Sequence, residues 1–175
     1  MGRSVAFFRN LNLGQGWAPT RPQLVAAYEE AGASDVVNVM VNGTVVFTHR
    51  APVAATRAVL AALRPLTGYD DVAVVRPAAW LRSLVEHADA LGLDDPGELA
   101  VEVSFFDARR PLGLALPWTA PGGRLTVVAG DHRHAISIWV PGPGGSNATV
   151  VLQGVTGVRV TSRALATVRR VVTRL

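Results

Sequence analysis

The chain contains neither cysteine nor lysine. Without cysteine there are no disulfides, no thiolate nucleophiles, no iron–sulfur ligands and no cysteine-based zinc sites. Without lysine no Schiff base forms on a side chain, and the P-loop lysine is missing. No run approaches the ~18 consecutive apolar residues that a membrane span requires. The opening MGRSVAFFRN has an apolar core too short for a signal peptide and no small-residue cleavage site. These absences lead to the expectation of a cytoplasmic protein with no membrane contact.

What is present suits a folded chain. At 175 residues it fits one compact domain or two small halves. Hydrophobic residues make up 49% and charged residues 17%, enough to build a core and against global disorder. All 17 basic residues are arginine, and the net charge is only +4. The pI of about 10.9 overstates that charge, because arginine does not titrate in the accessible range. Location is more informative. Residues 1–158 hold 12 Arg against 13 acids, whereas residues 159–175 hold five Arg and no acid, so the basic excess lies in the C-terminal tail.

The first half reads as a regular alternation of elements. Val5–Leu11 is an apolar strand that turns polar at Arg9, Asn10 and Asn12. Leu13–Pro19 is a Gly-containing loop. Thr20, Pro22 and Gln23 form a capping box with proline in the first turn, where its missing N–H is harmless. Leu24, Ala27, Tyr28 and Ala31 make a helical stripe that Gly32 ends. Val37, Val39 and Val41 alternate with polar residues as in a strand, and Asn42-Gly43 suits a type I′ hairpin turn into Val45–Thr48. Pro52 opens a second helix with Val53, Thr56, Leu60 and Leu63 inward, and Val72–Val75 is a fourth strand. The order is β-α-β-β-α-β, the ferredoxin-like unit.

The second half is less regular. Trp80–Leu91 is a helix with Leu81, Leu84, Val85 and Ala88 inward, and Leu99–Phe106 is a strand. Residues 107–123 hold three Pro and three Gly and replace a regular helix with a loop or short turn. Leu125–Ala129 and Ala135–Val140 read as a hairpin, Pro141–Asn147 as a flexible connection, Ala148–Gln153 as a short helix and Val158–Thr161 as a strand. Ser162 is read as capping a last helix, with Leu165, Val168, Val172 and Leu175 inward and Arg163, Arg170 and Arg174 outward. No internal repeat shows as identity, although the half reads as a degraded copy of the same plan. The expected fold is therefore α+β, two packed ferredoxin-like subdomains spanning 1–76 and 77–175, the second irregular.

The run AFFRNLNLGQG, followed by LVAAYEEAGASDVVNVMVNGTVVF, resembles the bacterial domain-of-unknown-function family 1697. That family shows a Leu-Arg-Gly-Ile-Asn-Val-Gly opening, a short helix ending near Gly, and a Ser-Gly-Asn-Val-Val-Phe hairpin. Its C-terminal Thr-Arg-Asn-Trp-Asn-Thr-Val is echoed in Ser162 to Val168, so the resemblance touches both ends. Here the family's Gly after Arg is Asn10, its Ser-Gly-Asn is Asn42-Gly43-Thr44, and its Asn-Trp-Asn is Ala164-Leu165-Ala166. The resemblance implies two ferredoxin-like halves and no established biochemical role.

Several constellations are candidates for chemistry. Arg9, Asn10, Asn12, Gln15, Asn42 and Thr44 converge if the first and third strands are central neighbours, with Ser162 and Arg163 approaching. Arg9 would meet an anion, the amides would orient a polar ligand, and the helix starting at Thr20 would point N–H groups at the same loop. The plainer alternative is that the asparagines cap turns and Arg9 meets a carboxylate. Gly14-Gln15-Gly16 lacks the third glycine of a dinucleotide loop, which falls on Pro19. His132 and His134 share a strand face but lack a third ligand. Ser146 lacks the nucleophile-elbow pattern. Asp70-Asp71 and Asp94-Asp95 read as turn acids. Trp17 and Trp118 sit in loops, where a tryptophan walls a pocket or packs over a core edge.

No residue set names a reaction, and no metal or cofactor is expected. The leading expectation is binding of a small polar or anionic molecule, with or without turnover. The alternatives are a nucleic-acid binder using Arg163, Arg169, Arg170 and Arg174, and a protein-interaction or structural module.

Overall fold

The computed structural model describes residues 2–93, 100–108, 111–140 and 148–175. The acid pair Asp94-Asp95, the start of a strand at Leu99 and the Pro141–Asn147 connection with Ser146 lie outside the described residues. Two compact units emerge, one of Met1–Arg82 with Val171–Leu175, the other of Ser83–Arg170. Together they hold two antiparallel sheets and five helices among the described residues, an α+β architecture.

The first unit runs β1 (Gly2–Phe8), α1 (Arg21–Glu30), β2 (Ser34–Met40), β3 (Thr44–His49), α2 (Pro52–Thr67) and β4 (Ala73–Pro77). Its sheet order is β2-β3-β1-β4 with every neighbour antiparallel. Both orders are consistent with the expected ferredoxin-like half. The capping box forms as read: Gln23 N–H donates to Thr20 Oγ1, and Thr20 N–H donates to Gln23 Oε1. Phe8, Leu24, Tyr28, Phe47, Val59, Leu63 and Tyr69 are fully or almost fully buried in one cluster.

Three local readings change. The first strand ends at Phe8, not Leu11, because the chain turns at Asn10, whose φ is +51°. The hairpin is not type I′. Met40 pairs with Thr44, leaving residues 41–43 as a three-residue connection in which only Gly43 has positive φ. In α2 Val53 is exposed, and the buried stripe is Ala55, Thr56, Val59 and Leu63. Val53 lies roughly 200° around the helix from Ala55.

Strand β2 also presents an unexpected face. Asn38 is buried, whereas Val37 is exposed, as is Val41 just past the strand's end. Register shifts interrupt its pairing with β3 on either side of the Val37–Asn38 pair, and Asp35 adopts a φ of +52°.

The second unit begins within α3 (Ala78–Ala90) and continues with β5 (Ala100–Phe106), β6 (Trp118–Thr119), β7 (Leu125–Gly130), β8 (His134–Trp139), α4 (Ala148–Thr156), β9 (Val160–Ala164) and α5 (Leu165–Val172), whose last residues belong to the first unit. Its sheet order is β6-β7-β8-β5-β9. Leu81, Leu84, Val85 and Ala88 of α3 are buried as expected. Among its described residues the Pro/Gly stretch contributes β6 alone and no helix, so Trp118 is in a short strand and not a loop.

The C-terminal reading is corrected. β9 pairs with β5 through Ser162↔Ser104 and Ala164↔Glu102, so Ser162 is mid-strand and does not cap a helix. Arg163 is buried on that strand, not outward on α5. Cross-strand pairing with β5 overrides the local capping signal. Helix α5 starts at Leu165 and buries Leu165, Val168 and Val171, with Val172 half-buried.

Strand pairing exposes a short echo that identity alone hides. Ala6 pairs with Val45 and Ser104 with Ala135, each beside its hairpin partner, while Phe8 pairs with Ala73 and Phe106 with Val160. Val5-Ala6-Phe7-Phe8 thus occupies the place that Val103-Ser104-Phe105-Phe106 occupies in the other unit.

Candidate functional site

The loop after β1 is fastened to the β2–β3 turn by two backbone bonds. Phe8 N–H donates to Gly43 O at 2.9 Å, and Leu13 N–H donates to Val41 O at 2.8 Å. The predicted meeting of these two segments therefore occurs. Gly43 is required there. A Cβ would stand 2.7 Å from Leu11 Cδ2 and 2.8 Å from Phe8 Cβ, and the φ of +68° already disfavours other residues.

Arg9 and Asn10 converge on one carboxylate. Arg9 Nη1 donates to Asp71 Oδ2 at 2.7 Å, and Asn10 Nδ2 donates to the same oxygen at 2.9 Å. Asp71 Oδ1 accepts from Val72 N–H at 2.8 Å, and Arg9 N–H donates to Val72 O. Asp71 is thus the structural partner of Arg9, more than the turn acid the sequence suggested. Asn10 occupies the left-handed region that the family's glycine would take readily, and asparagine is among the few other residues that tolerate it.

An aromatic pair closes this corner. Tyr69 OH donates to Arg9 O at 2.6 Å. Trp17 stacks on Tyr69, with centroids 5.8 Å apart and planes 15° apart, while leaving 55% of its own surface exposed. It both packs on the core edge and offers a free ring face. Within the loop Gly14 N–H donates to Pro19 O, Gln15 N–H to Asn12 O, and Ala18 N–H to Gln15 O. Those N–H groups are turned onto loop carbonyls, which is not how a phosphate cradle is built.

The amides divide into engaged and free. Thr44 Oγ1 donates to Asn42 Oδ1 at 2.9 Å, so these two side chains serve the turn. Asn12 and Gln15 are exposed, and their side chains have no hydrogen-bond partner among the described residues. Sequence reasoning missed Asn38, whose Nδ2 donates to Met40 O and whose Oδ1 is buried without a partner. It also missed Tyr69. The signal for Asp71 was available in register: Phe8 faces Ala73, so the residues after Phe8 meet those before Ala73.

Ser162 and Arg163 belong to the other unit and are engaged there. Ser162 Oγ shares a hydrogen bond with Ser104 Oγ and accepts one from Thr149 Oγ1, both at 2.7 Å. Arg163 Nη1 donates to Thr161 Oγ1 and Ser162 O. Arg169 pairs with Asp89 and Arg159 with Asp107, while Arg170 and Arg174 are exposed. Phe7, Phe8 and Phe47 are all fully buried.

At the β7–β8 turn Asp131 Oδ1 lies 2.9 Å from His134 Nδ1, and Arg133 Nε donates to His132 Nε2 at 3.1 Å. Burial pushes the Asp131 carboxyl upward, but the Arg133 N–H and the His134 charge and hydrogen bonds outweigh it and hold it below its ordinary value. No group of three or more His, Cys, Asp or Glu side chains positioned to hold a metal occurs among the described residues. Nor, among those residues, is any helix long and apolar enough to cross a membrane.

No curated protein and no solved structure matches the chain. A family model described as a protein of unknown function (DUF1697) matches residues 1–111. That span takes in the loop, the β2–β3 turn, Tyr69 and Asp71, and stops before the C-terminal echo around Ser162. With more than half its length matched, and with the opening motif built into a fastened strand–loop–turn corner, the chain belongs to the DUF1697 family.

Proposed function

We propose that the loop from Arg9 to Trp17, with the 41–43 turn, binds a small, uncharged polar molecule that carries a flat face. The observation that carries this reading is the half-exposed Trp17 ring, held flat on Tyr69 in the same fastened loop as the unpartnered amides of Asn12 and Gln15. An exposed ring gives a ligand an apolar platform, and free amides supply donors and acceptors. An anionic ligand has less support, because it would have to draw Arg9 from Asp71. No general base is evident, so the reading is binding, with turnover left to experiment. We place this activity in a bacterial cytoplasm, an expectation that rests on the sequence.

The test is a thermal-shift panel of nucleosides, monosaccharides, free amino acids and inorganic phosphate. A nucleoside or similar ring-bearing neutral compound should give a saturable rise in Tm that Trp17→Ala abolishes and Asn12→Ala weakens. Stabilisation by phosphate alone, lost in Arg9→Ala, would show the ligand to be anionic. No saturable shift from any class would end the reading.

The nucleic-acid alternative rests on Arg170 and Arg174, since Arg163 is buried and Arg169 is paired with Asp89. Oligonucleotide binding that falls steeply with salt, and falls further in Arg170→Ala with Arg174→Ala, would favour it. A null result from both experiments would leave the protein-interaction module.

A further inference from the structure

Asn42 stands directly before a residue that has to be glycine. A Cβ at position 43 would meet Leu11 and Phe8, and the φ of +68° is unsuited to other residues. The packing of the corner therefore fixes an Asn-Gly pair. Of the five asparagines in the chain, Asn42 alone precedes glycine; Asn10 and Asn12 precede leucine, Asn38 precedes valine and Asn147 precedes alanine. Asparagine is thermolabile, because the backbone nitrogen that follows it attacks its side-chain carbon and closes a ring. A side chain on the next residue crowds that nitrogen, and glycine has none.

Three observations place this chemistry in the folded turn. Thr44 Oγ1 donates to Asn42 Oδ1 at 2.9 Å. That bond leans the amide forward along the chain, towards the Gly43 nitrogen, and puts a donor on the oxygen where negative charge develops during attack. The Gly43 N–H donates no hydrogen bond among the described residues, so no ladder bond has to break before the nitrogen reacts. Asn42 is half-buried, which leaves part of its surface open to water.

We propose that Asn42 is a site of self-modification, deamidating through a cyclic imide formed with Gly43. The Gly43 nitrogen gives its proton to a solvent base and bonds to Asn42 Cγ. The bond from Cγ to Nδ2 breaks, and that nitrogen takes a proton from water and leaves as ammonia. Water then opens the imide at either of its two carbonyls, leaving aspartate or isoaspartate. One water enters and one ammonia departs overall, and nothing is oxidised or reduced.

The two products differ in what they do to the corner. Aspartate still offers an acceptor to Thr44. Isoaspartate carries an extra methylene in the main chain, inside the segment held on either side by Phe8 N–H on Gly43 O and Leu13 N–H on Val41 O. The lengthened turn cannot keep both bonds, so the modification releases the loop. The site adjoins the proposed ligand surface but needs no ligand, and it stands or falls without that reading.

The experiment is to age the full chain in mildly alkaline buffer, folded and in urea, and to follow each asparagine by peptide mass and by an isoaspartate methylation assay. In folded protein Asn42 should gain one mass unit at least about tenfold faster than Asn10, Asn12 or Asn38. Thr44→Val should slow that gain about threefold in folded protein and leave the rate in urea unchanged. In the isoaspartate fraction the Phe8 and Leu13 amides should lose protection from hydrogen exchange. Asn42→Ser, which keeps an acceptor for Thr44 and has no amide carbon, should age without that loss. The proposal is overturned if Asn42 keeps its amide in folded protein while losing it in urea, or if Thr44→Val reacts as fast as the wild type. Full protection of both amides in the isoaspartate fraction overturns it equally.

Discussion

Phe47 and Ser137 hold corresponding places in the two units. Each lies on the hairpin strand beside the first strand, Phe47 opposite Ser4 and Ser137 opposite Glu102. In the first unit Phe47 packs against Tyr28 of α1, with ring centroids 4.6 Å apart. In the second, no helix occurs between β5 and β7 among the described residues, and the pair across the strands is Glu102 with Ser137. The aromatic and the helix that covers it go together, and where the helix is missing the sheet turns polar. The strand ends show a second contrast. Arg9 pairs with Asp71 just before β4, and Asp107 pairs with Arg159 just before β9, so the same corner is clamped with the charges exchanged. That parallel supports a structural role for Arg9.

Exchanging features between the units should break the comparison in a graded way. Phe47→Ser gives the first unit the second's side chain and removes a fully buried aromatic. Urea unfolding should show a loss of about 3–5 kcal/mol. Gly43→Ala forces a Cβ against Phe8 and Leu11 at positive φ, and should cost about 2–4 kcal/mol by the same measurement. Gly130→Ala, at the other hairpin, meets the His134 backbone oxygen at 2.7 Å without the φ penalty, and should cost about 1–3 kcal/mol.

The two clamps should differ in strength. Asp71 and Arg9 are both mostly buried, so Asp71→Asn should cost about 1–3 kcal/mol and loosen the Trp17 loop in hydrogen exchange. Arg159 is largely exposed, and Asp107→Asn should cost under about 1 kcal/mol, screened further by salt. Equal losses would mean that the parallel is only topological.

The smallest effect sharpens the polar side of the comparison. Burial raises the Glu102 carboxyl above the ordinary carboxylate value, against the pull of the Ala148 backbone and the Trp139 indole. A raised folded-state value means that the group's stabilisation is present below the ordinary carboxylate range and is lost as pH rises through the folded value. Glu102→Gln does not titrate. It should therefore exceed the wild type in Tm at neutral pH by an amount worth about 1 kcal/mol or less, and the gap should close on acidification. Asp131, whose value is depressed, works in the opposite sense, and its contribution fades as pH falls through its folded value.

Much of the first unit was legible because its signals are local. Thr20 and Gln23 carry a capping box in their own side chains, Pro22 sits in the first turn, and Gly32 and Gly43 mark real turns. What was not legible depended on pairing. The type of the hairpin turn is tied to the Leu13 N–H reaching Val41 O, a contact from another segment. Alternation in β2 showed a strand but not which side of it is buried, and the bulges turned Asn38 inward. Ser162 before an apolar run looks like a cap until β5 claims it for a ladder. In the candidate site, Arg9, Asn10, Asn12 and Gln15 were found from residue type, whereas Asp71 and Tyr69 needed the β1–β4 register.

The irregular β2 has a consequence for life in a crowded solution. It is an edge strand, and Val37 stands exposed on it, with Val41 exposed just past its end. A straight ladder with those valines would be a template for another copy's strand, the first step of aggregation. The two breaks in register and the left-handed Asp35, a charge at the kink, deny that template a flat run of hydrogen bonds. Straightening β2 by engineering would thus trade a small gain in pairing for a protein prone to stick to itself.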